Sequence, residues 1–278
     1  MVLEMTAAQL AANYTADGML ACVDVLTPEE AGIYRERLLQ FLGEHHGSEA
    51  YSMWTYGKSH LVLEWVSEIA HHPRILDQVE QILGPDILLW DSFVPAKPPR
   101  SDGHFGWHQD GTFWPIAPLD QTVTVWLALD EVSVENGGMR MLPGSRDLGQ
   151  IEHEVTYDPK SMLRRGQRAL HAIDDALAVE IVLRPGQASL HGHLTLHGSG
   201  ANQSDRWRLA VGLVFASSNV SPVEGFEASA MLVRGHACGT GFHLESPPKS
   251  DLHPEALAQF AWAHDLGKAR YADVAPGD

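Results

Sequence analysis

The chain has 278 residues, 44% hydrophobic and 20% charged, and its 19 Lys plus Arg against 36 Asp plus Glu give a net charge of −17. Such a composition builds a sizeable core, and the negative charge argues against nucleic acid or an anionic membrane as partner, because phosphates repel it. Cys22 and Cys238 form no disulfide framework, the start MVLEMTAAQL lacks a basic-then-apolar leader, and no apolar run reaches the ~20 residues of a membrane span, so a soluble, cytoplasmic protein is expected.

The first part, about 1–85, reads as helical. Thr6 is placed to cap a helix through about Asp17, which Gly18 ends. After the strand-like run Met19–Val25, Thr27-Pro-Glu-Glu30 opens a second helix. Thr27 caps it, Pro28 sits in its first turn, and Glu29 and Glu30 face the positive helix end. Ile33, Leu38, Leu39 and Leu42 continue it at helical spacing. A third helix is expected over about Pro73–Leu83, with Ile75, Leu76, Val79 and Ile82 on one side.

From Asp86 the texture turns to short apolar or alternating runs, at Ile87–Trp90, Val123–Leu129, Ala178–Leu183, Ala188–Leu190 and Leu209–Phe215. Turn-prone breaks at Asn136-Gly-Gly138, Pro143-Gly-Ser145 and Arg184-Pro-Gly186 separate them. This pattern predicts a sandwich or barrel rather than alternating β/α units. About Pro143–Asp175 reads as a long insertion between strands, the kind that often forms a lid. Strand texture returns at Met231–His236, and a helix follows over about Pro254–His264. One domain over 1–278 is expected: a helical part to about 85, a β core over about 86–235 and a C-terminal extension over about 236–278.

His108-Gln-Asp110 puts an imidazole and a carboxylate two positions apart, hence on one side of an extended backbone. A redox-active Fe(II) that must hold a chelating co-substrate and O2 needs three protein ligands on one face, which two imidazoles and a carboxylate supply. One His-x-Asp among 16 His is weak by itself. Downstream, however, come Trp126-Leu-Ala-Leu129, Asn136-Gly137, Pro143-Gly-Ser145, His197-Gly-Ser-Gly-Ala-Asn202 and, eleven residues after His197, Arg208. In this order and spacing, over roughly Trp90–Phe215, the chain resembles the phytanoyl-CoA dioxygenase family of Fe(II)/2-oxoglutarate oxygenases.

The resemblance implies a double-stranded β-helix, or jelly roll, mainly β with flanking helices. It implies that His108, Asp110 and His197 bind iron and that Arg208 clamps the far carboxylate of 2-oxoglutarate, where a planar fork suits better than Lys. Ser199 matches the family's hydroxyl partner in that clamp, and Trp126 matches a wall of the co-substrate pocket. The implied reaction is hydroxylation of a small organic molecule, with O2 consumed and 2-oxoglutarate split to succinate and CO2. Asp110 favours this over halogenation, for which family members carry a small residue in its place. Desaturation or cyclisation would begin the same way. Arg146 departs from the pattern, which often has His after Pro-Gly-Ser.

Rival readings attach to several residues. His104-Phe-Gly106 mimics a halogenase-type pair, His243-Leu-Glu245 could be a ligand pair, and His191 and His193 compete with His197. Arg206 competes with Arg208. Trp107, Phe113 and Trp114 are candidates for substrate contact, with filling of the barrel mouth as the alternative. Lys97, Arg100 and Arg234 are the cations for an anionic substrate, each with an ion pair as the more ordinary role. A jelly-roll protein that binds metal without turnover, or a zinc hydrolase, would have no need of Arg208 and Ser199. Substrate identity and oligomeric state stay open between a monomer and a homodimer.

Overall fold

The computed structural model describes residues 7–163, 166–237, 239 and 241–266, so Thr6 and Cys238 lie outside the described residues. The architecture is mainly β with flanking helices. The chain divides into two compact units. The first comprises Met1–Glu44, Pro95–Thr112 and Thr124–Gly212, and the second His45–Val94, Phe113–Val123 and Leu213–Asp278.

In the first unit the opening helix runs Ala7–Asp17 and stops at Gly18, whose φ of 73° suits glycine. A Cβ at Gly18 would also sit 2.7 Å from Arg146 Cδ, so the turn is tight on two counts. The second helix, Pro28–His45, starts with a reciprocal cap. The Thr27 N–H donates to Glu30 Oε2 (2.7 Å) and the Glu30 N–H to Thr27 Oγ1 (3.1 Å). Its buried stripe is Ala31, Leu38, Phe41 and Leu42. Ile33 is instead 62% exposed, since it lies roughly 140° round the helix from Leu38.

Two sets of strands carry this unit. Met19–Asp24, Gln187–His191 and Thr122–Ala128 lie side by side and antiparallel, with His191 opposite Thr124 and Ser189 opposite Trp126. A four-stranded sheet runs in the order Phe105–His108, His197–Ser199, Met139–Met141, Val179–Glu180. The pairing of its first two strands sets His197 opposite His108. Gly198 permits that approach, because a Cβ there would fall 2.9 Å from the Phe105 carbonyl oxygen. The run Ala178–Leu183 yields only the two-residue strand Val179–Glu180. Ile181 and Leu183 still bury their side chains, with Val182 between them 59% exposed, and their backbones hydrogen-bond to Met139 and Val132 outside the named strand. The long insertion holds a small hairpin, His153–Val155 against Gln167–Ala169.

The second unit contains helices Glu49–Thr55 and Glu64–Ala70, which periodicity gave no sign of, then Pro73–Leu83 as expected. Trp65, Val66, Ile69 and Ala70 are fully buried, and a short helix buried almost all round shows no amphipathic stripe. Ile87–Phe93 pairs antiparallel with Ser229–Arg234, which pairs in parallel with His243–Leu244. The closing helix is Pro254–Leu266. Among the described residues, no helix is long and apolar enough to cross a membrane.

Candidate metal centre

All three expected ligands lie in the first unit. His108 ends one strand, Asp110 opens the 3-10 turn that follows, and His197 begins the neighbouring strand. One donor atom from each falls within 4.8 Å of the others, and they form the one such group of His, Cys, Asp or Glu found among the described residues. His108 Nε2 and His197 Nε2 each lie 3.5 Å from Asp110 Oδ1, with the two imidazole centroids 4.2 Å apart.

The tautomers can be worked out. His108 Nδ1 lies 2.8 Å from the Gly106 carbonyl and His197 Nδ1 3.0 Å from the Thr195 carbonyl. A carbonyl only accepts, so both Nδ1 atoms carry the hydrogen and donate. In a neutral ring Nε2 then presents a lone pair. Burial pushes His197 down to about 3, with His108 and His191 acting the same way and Asp110 against, so its ring is neutral at ordinary pH. Burial opposes the charge on Asp110, but His197, His108 and His191 outweigh it and hold the carboxyl well below the usual range. The lone pair of His197 Nε2 therefore faces a carboxylate oxygen across 3.5 Å, with His108 Nε2 at the same distance from it, an arrangement that a bound cation would satisfy. Donors about 2.1 Å from one ion stand about 3 Å apart at right angles, so the residues fit a transition-metal ion. The backbone carbonyls behind each imidazole are the outer partners such ligands usually have.

The motif's middle residue, which sequence reasoning passed over, is tied down on every side. Gln109 is buried, and its amide donates to the carbonyls of Gly149 and Leu194 (both 2.8 Å). Its oxygen accepts from Ile151 N (2.8 Å) and Gln150 Nε2 (3.1 Å). Its backbone N–H donates to His153 Nε2 (3.0 Å), while His153 Nδ1 donates to the Ile151 carbonyl (2.8 Å). Burial lowers the pKa of His153, which keeps it in the neutral form this geometry requires. Gln109→Leu should therefore weaken iron retention about tenfold without touching a ligand. Metal titration of the folded variant checks this.

Arg208 is buried, 1% exposed, with its guanidinium 5.1 Å over the Trp126 ring. Lys97 is not the ion pair expected of it. Its chain is bridged to Arg208 by two backbone hydrogen bonds (2.9 and 3.0 Å), and its ammonium is fully buried. Lys97 Nζ donates to Ser199 Oγ (2.7 Å) and to the carbonyls of Gly200 and Gly137. Burial, then the Arg208 charge, pulls it down to about 6. The structure thus brings Arg208, Ser199, Trp126 and Lys97 together. The Asp-poor, apolar lead-in Val94-Pro-Ala-Lys97 was the one available hint that Lys97 is buried.

The remaining candidates are spread over both units. Trp107 Nε1 donates to Asp175 (3.1 Å) beneath the Arg140 guanidinium, which is 5.1 Å from the ring. Trp107 and Arg140 border a cleft of about 350 Å³ with Asp102, His104, Ser199 and the glycines 106, 198 and 200. In the second unit Trp114 packs on Trp90 at 4.8 Å, and Arg234 is paired with Asp77 (2.9 Å) and Glu80 (2.6 Å). The backbone of Phe113 closes a 3-10 turn, and its side chain lies outside the described residues. Arg100 and Arg206 form exposed pairs with Asp205 and Glu131. His243 is exposed beside Glu227, and the Glu245 side chain is buried against Lys58 and His60. His191 abuts Asp110, and the His193 carbonyl accepts the Gly111 N–H.

Fold and site together define a mainly β, jelly-roll protein with a two-His, one-carboxylate centre, the class of the non-haem oxygenases. The family model of phytanoyl-CoA dioxygenase (PhyH) matches residues 14–210, and the chain belongs to that family. A solved structure described as "non-heme monooxygenase; ThoJ apo" is 34% identical, with a TM-score of 0.82 over 94% of this chain and 96% of that one. A Stutzerimonas stutzeri protein described as "Probable alpha-ketoglutarate-dependent hypophosphite dioxygenase" is 34% identical over 60% of this chain and 58% of its own length. The ectoine dioxygenase of Streptomyces avermitilis is 29% identical over 81% of this chain and 83% of that protein. The match thus spans little more than half of the first of these two curated relatives.

Proposed function

We propose that the protein is an Fe(II)- and 2-oxoglutarate-dependent oxygenase that hydroxylates a small organic molecule. His108, Asp110 and His197 hold the iron. The observation that carries the reading is the convergence of His108 Nε2 and His197 Nε2 on one Asp110 oxygen, each at 3.5 Å. Bound there, ferrous iron with 2-oxoglutarate and O2 would supply the oxidising power for the hydroxylation, with succinate and CO2 as the by-products. Relatives named for hypophosphite and for ectoine differ widely in substrate, so family membership leaves this chain's substrate open.

The residues near Ser199 do the rest of the holding. Arg208 grips the far carboxylate of 2-oxoglutarate with its fork, the Ser199 hydroxyl donates to it, and Trp126 fixes the plane of the guanidinium. Among the described residues no carboxylate pairs with Lys97, so an incoming dianion would supply the counter-charge. A non-catalytic metal binder or a zinc hydrolase gives these groups no task.

Anaerobic addition of Fe(II) and 2-oxoglutarate should produce a visible charge-transfer band, and succinate should form once O2 and substrate are admitted. Absence of the band in a folded, iron-loaded protein removes the reading. Arg208→Lys should raise KM for 2-oxoglutarate by about 10–100-fold with kcat much less affected, since a charged, forked hydrogen bond is worth about 1.5–3 kcal/mol. Steady-state kinetics checks it. A second expectation concerns protons. Lys97, at about 6 in the free protein, is mostly neutral at pH 7.5. An adjacent dianion favours its charged form, so 2-oxoglutarate binding should take up as much as about one proton. Calorimetry in buffers of different ionisation enthalpy measures the uptake, which should fade below pH 6.

A further inference from the structure

We propose that Thr124 and His191 are positioning residues that make Asp110 a one-oxygen ligand. This rests on the reading of His108, Asp110 and His197 as iron ligands. The two oxygens of Asp110 have different neighbours. Oδ1 faces His108 Nε2 and His197 Nε2, each at 3.5 Å. Oδ2 accepts the Thr124 hydroxyl at 3.2 Å and faces His191 Nε2 at 3.5 Å.

Thr124 and His191 reach the same oxygen because they are directly opposed on adjacent antiparallel strands, where opposed side chains share a face. Both are buried, each 1% exposed. Neither ring nitrogen of His191 makes a hydrogen bond among the described residues, although Nε2 lies 3.5 Å from Asp110 Oδ2, and the ring stands 4.5 Å from that of His197. An imidazole buried with so few polar partners costs stability, and such a cost is usual where a side chain serves a site rather than the core.

The chemistry gives the arrangement its use. A carboxylate can chelate with both oxygens, and a chelating Asp110 would occupy a position that the co-substrate or O2 needs. Holding Oδ2 aside leaves Oδ1 as the single donor. Three protein atoms then bind one face of the ion and the opposite positions stay open.

The test uses the full chain, Fe(II) and 2-oxoglutarate under argon. Thr124→Val keeps the volume and removes the hydroxyl, Thr124→Ser keeps the hydroxyl, and His191→Phe keeps a ring without nitrogens. Thr124→Val and His191→Phe should each weaken Fe(II) binding about tenfold or more and shift the visible charge-transfer band, and Thr124→Ser should restore both. If folded Thr124→Val and His191→Phe bind Fe(II) within about twofold of the unaltered protein with the same band, or Thr124→Ser is as weak as Thr124→Val, the proposal is overturned. Should Thr124→Val not fold, Thr124→Ala replaces it against Thr124→Ser with the same two outcomes. If the unaltered protein shows no His197-dependent Fe(II) binding, the oxygenase reading itself fails, a result distinct from a null effect of Thr124→Val.

Discussion

His197→Ala should leave a folded protein that no longer retains iron and forms no succinate. Its Nε2 is one of two imidazole nitrogens 3.5 Å from Asp110 Oδ1, and without it only His108 and Asp110 remain as ligands. The loss should exceed the ~10–100-fold that an outer partner such as Gln109 commands, because a ligand rather than its support is removed. The fold should survive. His197 is held by backbone pairing on both sides, to Phe105–His108 and to Met139–Met141, and Ala preserves those hydrogen bonds. The measurement is metal content after anaerobic loading and desalting, with succinate release and thermal unfolding alongside. His193→Ala is the control. Its position adjoins the site through a backbone carbonyl, so iron should stay. Full turnover in folded His197→Ala would end the metal assignment.

The centre was legible in the sequence because its signals are local or strictly spaced. The His108-x-Asp110 step, the Gly-Ser after His197 and the eleven-residue step to Arg208 are all read along short, continuous stretches of chain. The reciprocal cap at Thr27 and Glu30 and the stripe of Pro73–Leu83 were legible for the same reason. The supporting residues were not. Lys97, Gln109, Thr124 and His191 act through cross-strand neighbours whose register no local pattern fixes, as in the pairing of His191 with Thr124. Helix Glu64–Ala70 escaped for another reason, since burial on nearly every side erases the period that marks a surface helix, and Glu49–Thr55 is only two turns long. Trp107, a candidate for substrate contact, has its indole N–H on Asp175, 68 residues on, a contact only the tertiary fold creates, and its ring borders the cleft that Ser199 also lines.

The second unit holds a buried ionic cluster that nothing in the sequence announced, and Glu245→Ala should cost about 3–5 kcal/mol of stability. Glu245 Oε1 pairs with Lys58 Nζ at 2.7 Å and Oε2 with His60 Nε2 at 2.9 Å, with its side chain wholly buried. His60 Nδ1 in turn meets Ser92 Oγ at 2.7 Å. The order Ser, His, Glu is that of a nucleophilic triad, but Ser92 and His60 are both fully buried and Ser92 Oγ also accepts the His60 backbone N–H. No substrate reaches such a hydroxyl, so the cluster acts as a strut between the segment around Lys58–His60 and the strand region ending at Glu245. Lys58 keeps the carbonyls of Trp90 and Ser229 (2.6 and 2.8 Å) when Glu245 is gone, but loses its counter-charge. At about 2–4 °C per kcal/mol for a chain of this size, the melting temperature should fall on the order of 10 °C. The pH dependence has a definite sign. Burial would raise the Glu245 pKa, yet Lys58 and His60 depress it from 4.5 to about 2. Its stabilisation is therefore complete above about 4.5 and is lost as pH falls through about 2. The gap in melting temperature between the unaltered protein and Glu245→Ala should stay level from pH 7 to 5, then narrow towards pH 2. A gap that vanished at pH 7, or narrowed while still above pH 5, would mean that the carboxylate is not what holds these segments. Lys58→Met with Glu245→Leu should recover much of the loss, because removing both charges leaves no uncompensated ion in the core.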